Sequence, residues 1–293
     1  MATIDSSTAI APPVRRGVNH VFVVVVTSVV YDFLTNLGDE LDYLSNSRTT
    51  LAKVMFLGCR YIPFVLCALH VPMAFQWSVE ACSGLAIGTL LFCAILMLCA
   101  ECVFVLRTYA LWNCDRRVQI ALWINFSALF CAVAILVIAC GMTTKTSNFT
   151  AACRSAPISA DFILAPYILL LLLETEVVCL TLYRMIRYYY ATRCRLLTLL
   201  AQYSIGYTLA GLLFTVTNII AIGFIPGDYS SILQAVQVIF QGLLATRMQL
   251  DLWKLDHHAV TLPPDSDDRG LTNLEVFELT QRATSLPGGS ETN

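Results

Sequence analysis

Residues 83–106 read SGLAIGTLLFCAILMLCAECVFVL, an apolar run with a single charged side chain, Glu101. A helix needs about 20 mostly apolar residues to cross a hydrocarbon core roughly 30 Å thick, and this run has that length and character. Working outward, comparable runs occupy 18–37, 51–71, 118–142, 162–186, 199–225 and 231–250. They are long and continuous, without the alternation of a lipid-facing strand, so the spans are helices rather than barrel strands. The expected fold is all-α: a polytopic membrane protein with a seven-helix transmembrane bundle over 18–254. Residues 1–17 form a short N-terminal tail, and the first run lacks a signal-cleavage site and reads as a retained span. Beyond Lys254 the sequence is rich in Pro, Asp, Ser, Thr and Gly. Such a composition buries too little apolar surface to fold alone, so 255–293 is expected to be a mostly disordered cytoplasmic tail, with one short helix over 271–282.

Composition agrees with a bilayer as solvent. Hydrophobic residues make up 57% of the 293 positions and charged residues 13%, against roughly 25% charged in a soluble domain; the mean hydropathy is +0.70. The net charge of −2 and the lack of a dense basic patch exclude a nucleic-acid partner. Twelve cysteines are present. Eight of them (Cys59, Cys67, Cys93, Cys99, Cys102, Cys131, Cys140 and Cys179) lie inside apolar runs, where a thiol behaves as a small hydrophobe. No metal site and no cofactor is expected.

Lysine and arginine set the orientation. One face of the expected membrane collects eleven: Arg48, Lys53, Arg107, Arg116, Arg117, Arg184, Arg187, Arg193, Arg195, Arg247 and Lys254. The other collects four, Arg15, Arg16, Lys145 and Arg154. The richer face is cytoplasmic, which puts the N-terminus outside and the C-terminus inside, in the plasma membrane or another membrane of the secretory pathway. Asn148-Phe149-Thr150 then falls in the longest outer loop as an N-glycosylation candidate, whereas Asn125-Phe126-Ser127 lies within the fourth span and is discounted.

Tyr31-Asp32-Phe33-Leu34-Thr35, then Asp39-Glu40, then Phe56-Leu57-Gly58-Cys59-Arg60-Tyr61-Ile62-Pro63 form a specific block. It resembles the N-terminal signature of a family of multi-pass membrane proteins from basidiomycete fungi, described only as a domain of unknown function. Leu106 to Trp112, Glu176 to Tyr183 and Arg247 to Leu252 are similar to later parts of that family. The resemblance implies a seven-span fungal membrane protein and no established activity.

Ionisable residues inside spans are the candidate functional groups, because a charge at the bilayer centre costs about 2.5 to 3.5 kcal/mol on insertion scales. Arg60 lies nine residues from the inner end of its span, and Asp32 and Glu101 about five from theirs. Helical side chains lean toward their own N-terminus, so the three converge on one level. An Asp32–Arg60–Glu101 cluster is therefore expected, either as a structural bridge or as a switch, proton or ion step. Glu174 and Glu176 lie two residues apart, roughly 200° around a helix, and cannot both face one cavity.

The leading function class is a receptor or sensor, with a small-molecule ligand and a cytoplasmic signalling partner. Seven spans with the N-terminus outside resemble G-protein-coupled receptors. That resemblance implies a Cys82–Cys153 disulfide at the outer face, and it compares Arg107, at the inner end of the third span with Tyr109 two residues on, to the receptors' cytoplasmic arginine. Leu106 stands where those receptors carry an acid, and an ordinary membrane-anchoring arginine reads equally well there. An opsin is disfavoured, since Lys53, Lys145 and Lys254 are the only lysines and none lies deep in the last span. A transporter is the second class, on the buried acids together with Pro63 and Pro166 inside spans. A structural or accessory role is the third. An enzyme is not expected: His20, His70, His257 and His258 do not assemble a zinc site, and neither a G-x-S-x-G elbow nor a phosphate-binding glycine loop occurs.

Overall fold

The computed structural model describes residues 12–46, 51–75, 79–112, 116–146, 160–192, 195–224 and 227–261. They form seven helices, α1 (Pro12–Asn46), α2 (Leu51–Phe75), α3 (Val79–Leu111), α4 (Arg116–Thr146), α5 (Ala160–Thr192), α6 (Arg195–Phe224) and α7 (Gly227–Thr261). No strand occurs among the described residues. In hydrocarbon every backbone N–H and C=O must find its partner within the segment, and a helix achieves that. Among the described residues, six helices, α1 to α6, are long and apolar enough to cross a membrane. The protein is thus a membrane-spanning helical bundle.

The exception is α7, which carries Gln234, Gln237, Gln241, Arg247, Gln249, Asp251 and Lys254. Its polarity is explained by where it lies. Each helix touches the next in sequence, α7 closes back on α1, and α7 also packs on α2 and α3, while α3 reaches α5. Thus α3 and α7 are the inner helices of the bundle, and Gln237, Gln241, Thr246 and Gln249 are all buried.

All seven helices run past the spans read from hydropathy at one end or both, α1 and α7 by the most. α1 continues beyond 37 to Asn46 because the polar stretch there is turned inward: Glu40 and Tyr43 are both buried. α7 continues beyond 254 to Thr261, so the stretch expected to be tail begins as helix. Trp253 packs edge-on against Tyr43, with ring centroids 5.9 Å apart, and Lys254 pairs with Asp39 at 2.6 Å, which anchors that end. The expected helix over 271–282 lies outside the described residues.

The lipid-facing surface is apolar, as the bilayer requires. Ile124, Ile138, Leu213 and Phe224 are at least 64% exposed, which in water would be a large unfavourable patch. Leu66, Leu96, Leu122, Leu129, Leu170, Leu173 and Met248 are fully buried in the interior. Without a hydrophobic drive between helices in lipid, close approach through small residues matters more. A Cβ on Gly242 would stand 2.8 Å from Leu96 Cδ1 and 3.5 Å from the Cys59 carbonyl oxygen. Pro63, four residues after Cys59, has no N–H to give that carbonyl. α7 therefore seats its glycine beside a backbone oxygen that α2 itself leaves open.

Candidate functional site

Two buried polar systems run through the bundle, and both are centred on α7. The first lies between α1, α2 and α7. Asp32, Asn36 and Glu40 recur every four residues on one face of α1, and all three are buried. Arg60 of α2 is 2% exposed. Its Nη1 donates to Asp32 Oδ2, and its Nη2 forms an ion pair with Glu40. The same Nη2 donates to the carbonyls of Asp32 and Phe33 at 3.2 and 3.3 Å, and the guanidinium lies 5.1 Å from the Phe33 ring centroid. Arg247 of α7 closes the set by donating from Nε to Asp32 Oδ1. The Asn36 amide caps the Asp32 carbonyl at 2.7 Å. Two carboxylates and two guanidiniums form a neutral set, which is how charges persist at depth.

The second system lies deeper among α3, α5, α6 and α7. Glu101 of α3 is 0% exposed and Glu174 of α5 is 2% exposed. The amide nitrogen of Gln241 donates to both, to Glu101 Oε1 and, at 2.7 Å, to Glu174 Oε1. One turn earlier Gln237 donates to Thr215 Oγ1 at 2.7 Å and accepts from the Asn218 amide, which also reaches the Leu233 carbonyl at 3.3 Å. The Gln237 and Gln241 amides meet at 3.5 Å, so a continuous polar chain connects Leu233 to Glu101. Gly211 of α6 faces this site: a Cβ there would lie 3.3 Å from Glu174 Oε1.

The expected three-residue cluster is corrected by this arrangement. The structure joins Asp32 and Arg60, but among the described residues no ion pair connects Arg60 to Glu101. Glu101 sits on the side of α3 that meets α5 and α7, because depth along a helix does not fix rotation about it. Glu174 and Glu176 point apart: Glu174 faces Gln241, while Glu176 accepts from the Asn125 amide of α4. That bond accounts for a polar residue in the fourth span.

Arg107 of α3 donates from Nε to Gln249 Oε1 at 2.9 Å, and the Gln249 amide donates to the Tyr43 hydroxyl at 3.2 Å. A third tie to α7 thus joins α3 and α1. Cys59, Cys99 and Cys102 carry free thiols, the last two spaced C-x-x-C around Glu101. Among the described residues no three His, Cys, Asp or Glu side chains come together as metal ligands. The Cys82 side chain, Cys153 and Asn148 lie outside the described residues.

Glu40, Arg247, Gln241, Gln249 and Asn36 belong to these systems without having been expected there. For α1 the usable signal is the four-residue spacing of Asp32, Asn36 and Glu40. For α7 it is the same spacing of Gln237 and Gln241 in an otherwise apolar segment.

The segment that supplies Asp32, Glu40 and Arg60 is also where the chain resembles known sequences. Residues 20–65 match a family of unknown function (DUF6533). The DUF6533 region therefore covers most of α1 and the first half of α2, and holds three of the four charges of the first polar system. Searches of curated proteins and of solved structures returned no match.

Proposed function

We propose that this protein is a receptor- or sensor-like seven-helix membrane protein in which α7 is the moving part. The observation that carries the reading is the convergence of polar contacts on α7: Arg247 on Asp32, Gln241 on Glu101 and Glu174, and Gln249 on Arg107. Polar contacts inside a dry bundle are held in one of a few discrete arrangements, so a small displacement of α7 exchanges several together. The ties of Gln249, Arg247 and Lys254 lie toward the face assigned to the cytoplasm. There a shift of α7 alters what a signalling partner meets. The reading includes a small-molecule ligand acting from the outer side, a plasma or secretory-pathway membrane with the N-terminus outside, and no enzymatic activity.

The experiment is a ligand screen on the full chain in lipid nanodiscs, scored first by thermal stabilisation. A bound ligand stabilises the folded protein by about 2.7 kcal/mol at a hundred times its Kd. Hydrogen exchange then reports on α7. A receptor ligand changes the protection of α7 around 245–254 without accumulating inside sealed proteoliposomes. A ligand that accumulates inside refutes the receptor reading in favour of transport, which the polar chain from Leu233 to Glu101 favours as the second reading.

A further inference from the structure

We infer that Glu101 and Glu174, bridged by Gln241 and faced by Gly211, form a buried site for one monovalent cation, a proton or a sodium ion. The inference is independent of whether the protein signals or transports. Four observations carry it. Both carboxyl groups are fully enclosed. One amide nitrogen reaches both, so they are neighbours close enough to repel each other. Among the described residues no lysine, arginine or histidine pairs with either. The second oxygen of each, Oε2, is buried with no partner.

The first polar system shows what this one lacks, for there two carboxylates are matched by two guanidiniums. Two uncompensated charges in a medium of low dielectric are strongly unfavourable, and a bare acceptor with no donor adds to that. A single positive charge shared by the two carboxyls removes one of the two charges and gives a bare Oε2 a partner. Thr215 lies beside Glu174, and its hydroxyl hydrogen-bonds to that carboxyl. On α6 the glycine leaves the space by Glu174 clear, since any side chain there would press on its carboxyl. Among the described residues the thiols of Cys59 and Cys102 lie near Glu101. Asp32, Glu40, Arg60 and Arg247 form ion pairs with one another in the first system, and Glu176 accepts from Asn125 of α4.

The test uses the full chain in nanodiscs. Infrared difference spectra between acidic and alkaline buffer report the carbonyl stretch of a protonated carboxylic acid, and radiolabelled sodium reports the other ion. A carboxylic-acid band that is insensitive to sodium and lost in the E101Q/E174Q double variant identifies the proton. Saturable sodium binding that is lost in the same variant, with sodium suppressing the band, identifies the metal ion. Either result supports the site, and E176Q should leave both signals intact. Absence of both signals in the parent protein, or their persistence in E101Q/E174Q, overturns it. If the double variant does not fold, E101Q and E174Q are compared singly, and parental spectra and parental sodium binding in both also overturn it.

Discussion

Replacing Arg60 by alanine tests the charge accounting of the first polar system. In the native chain Asp32 and Glu40 are matched by Arg60 and Arg247, and the sum is zero. Arg60→Ala leaves a net charge of −1. Asp32 keeps Arg247, so the burden falls on Glu40, which is 2% exposed. Breaking a buried pair by deleting one partner typically costs about 3–5 kcal/mol. We expect a loss of about 4 kcal/mol, close to a thousandfold in the folding equilibrium. The assay is thermal unfolding of the purified full chain, with cellular abundance as a second reading. Arg60→Met combined with Glu40→Gln restores neutrality while keeping volume, and should recover most of the loss, because a buried ion pair contributes little over a well-packed apolar replacement. If R60A is as stable as the R60M/E40Q double variant, the stranded-charge argument is refuted.

Gly242→Val should destabilise by about 1–3 kcal/mol through overpacking against Leu96, whereas Gly206→Ala, with open space around it, should be neutral or slightly stabilising; equal melting temperatures would remove the close approach of α7 from the account. Gln241→Leu should cost about 1–3 kcal/mol for each carboxyl oxygen left without its donor, and E101Q should relieve part of that loss when combined with it, as read by the same unfolding assay. Protease protection on sealed vesicles should expose a tag at Met1 on the face opposite a tag at Asn293; tags shielded together would contradict the orientation. Non-reducing peptide mapping should recover Cys82 linked to Cys153, and two unlinked thiols would remove the outer-face disulfide.

How much of this was legible depended on which quantity the sequence encodes. Membrane-crossing runs are legible because hydrocarbon thickness fixes their length, and six of the helices stand out for that reason. The C-terminal ends of α1 and α7 were not, since Glu40, Tyr43 and Trp253 read as loop until a partner is seen turning them toward the bundle. Depth was legible as well: a constant rise per residue puts Asp32 and Arg60 at one level, and the structure joins them. Rotation was not. In a soluble helix the contrast between a wet and a dry face shows which way a residue points, but here both faces of α3 are apolar. Nothing in the run from 83 to 106 says that Glu101 turns toward Gln241 and away from Arg60.

The polarity of α7 bears on how the chain is made. Polar side chains such as Gln234, Gln237 and Gln241 lower the gain of moving a segment from the translocation channel into lipid. The six apolar helices precede it in synthesis, and among them are α3, which carries Glu101, and α6, which carries Thr215 and Asn218. Those partners offer the glutamines of α7 hydrogen bonds that lipid cannot. Insertion of this helix then draws on packing against those partners as well as on its own apolar side chains. A substitution on α3 or α6 that removes one of those partners leaves a glutamine of α7 without its hydrogen bond in a dry bundle.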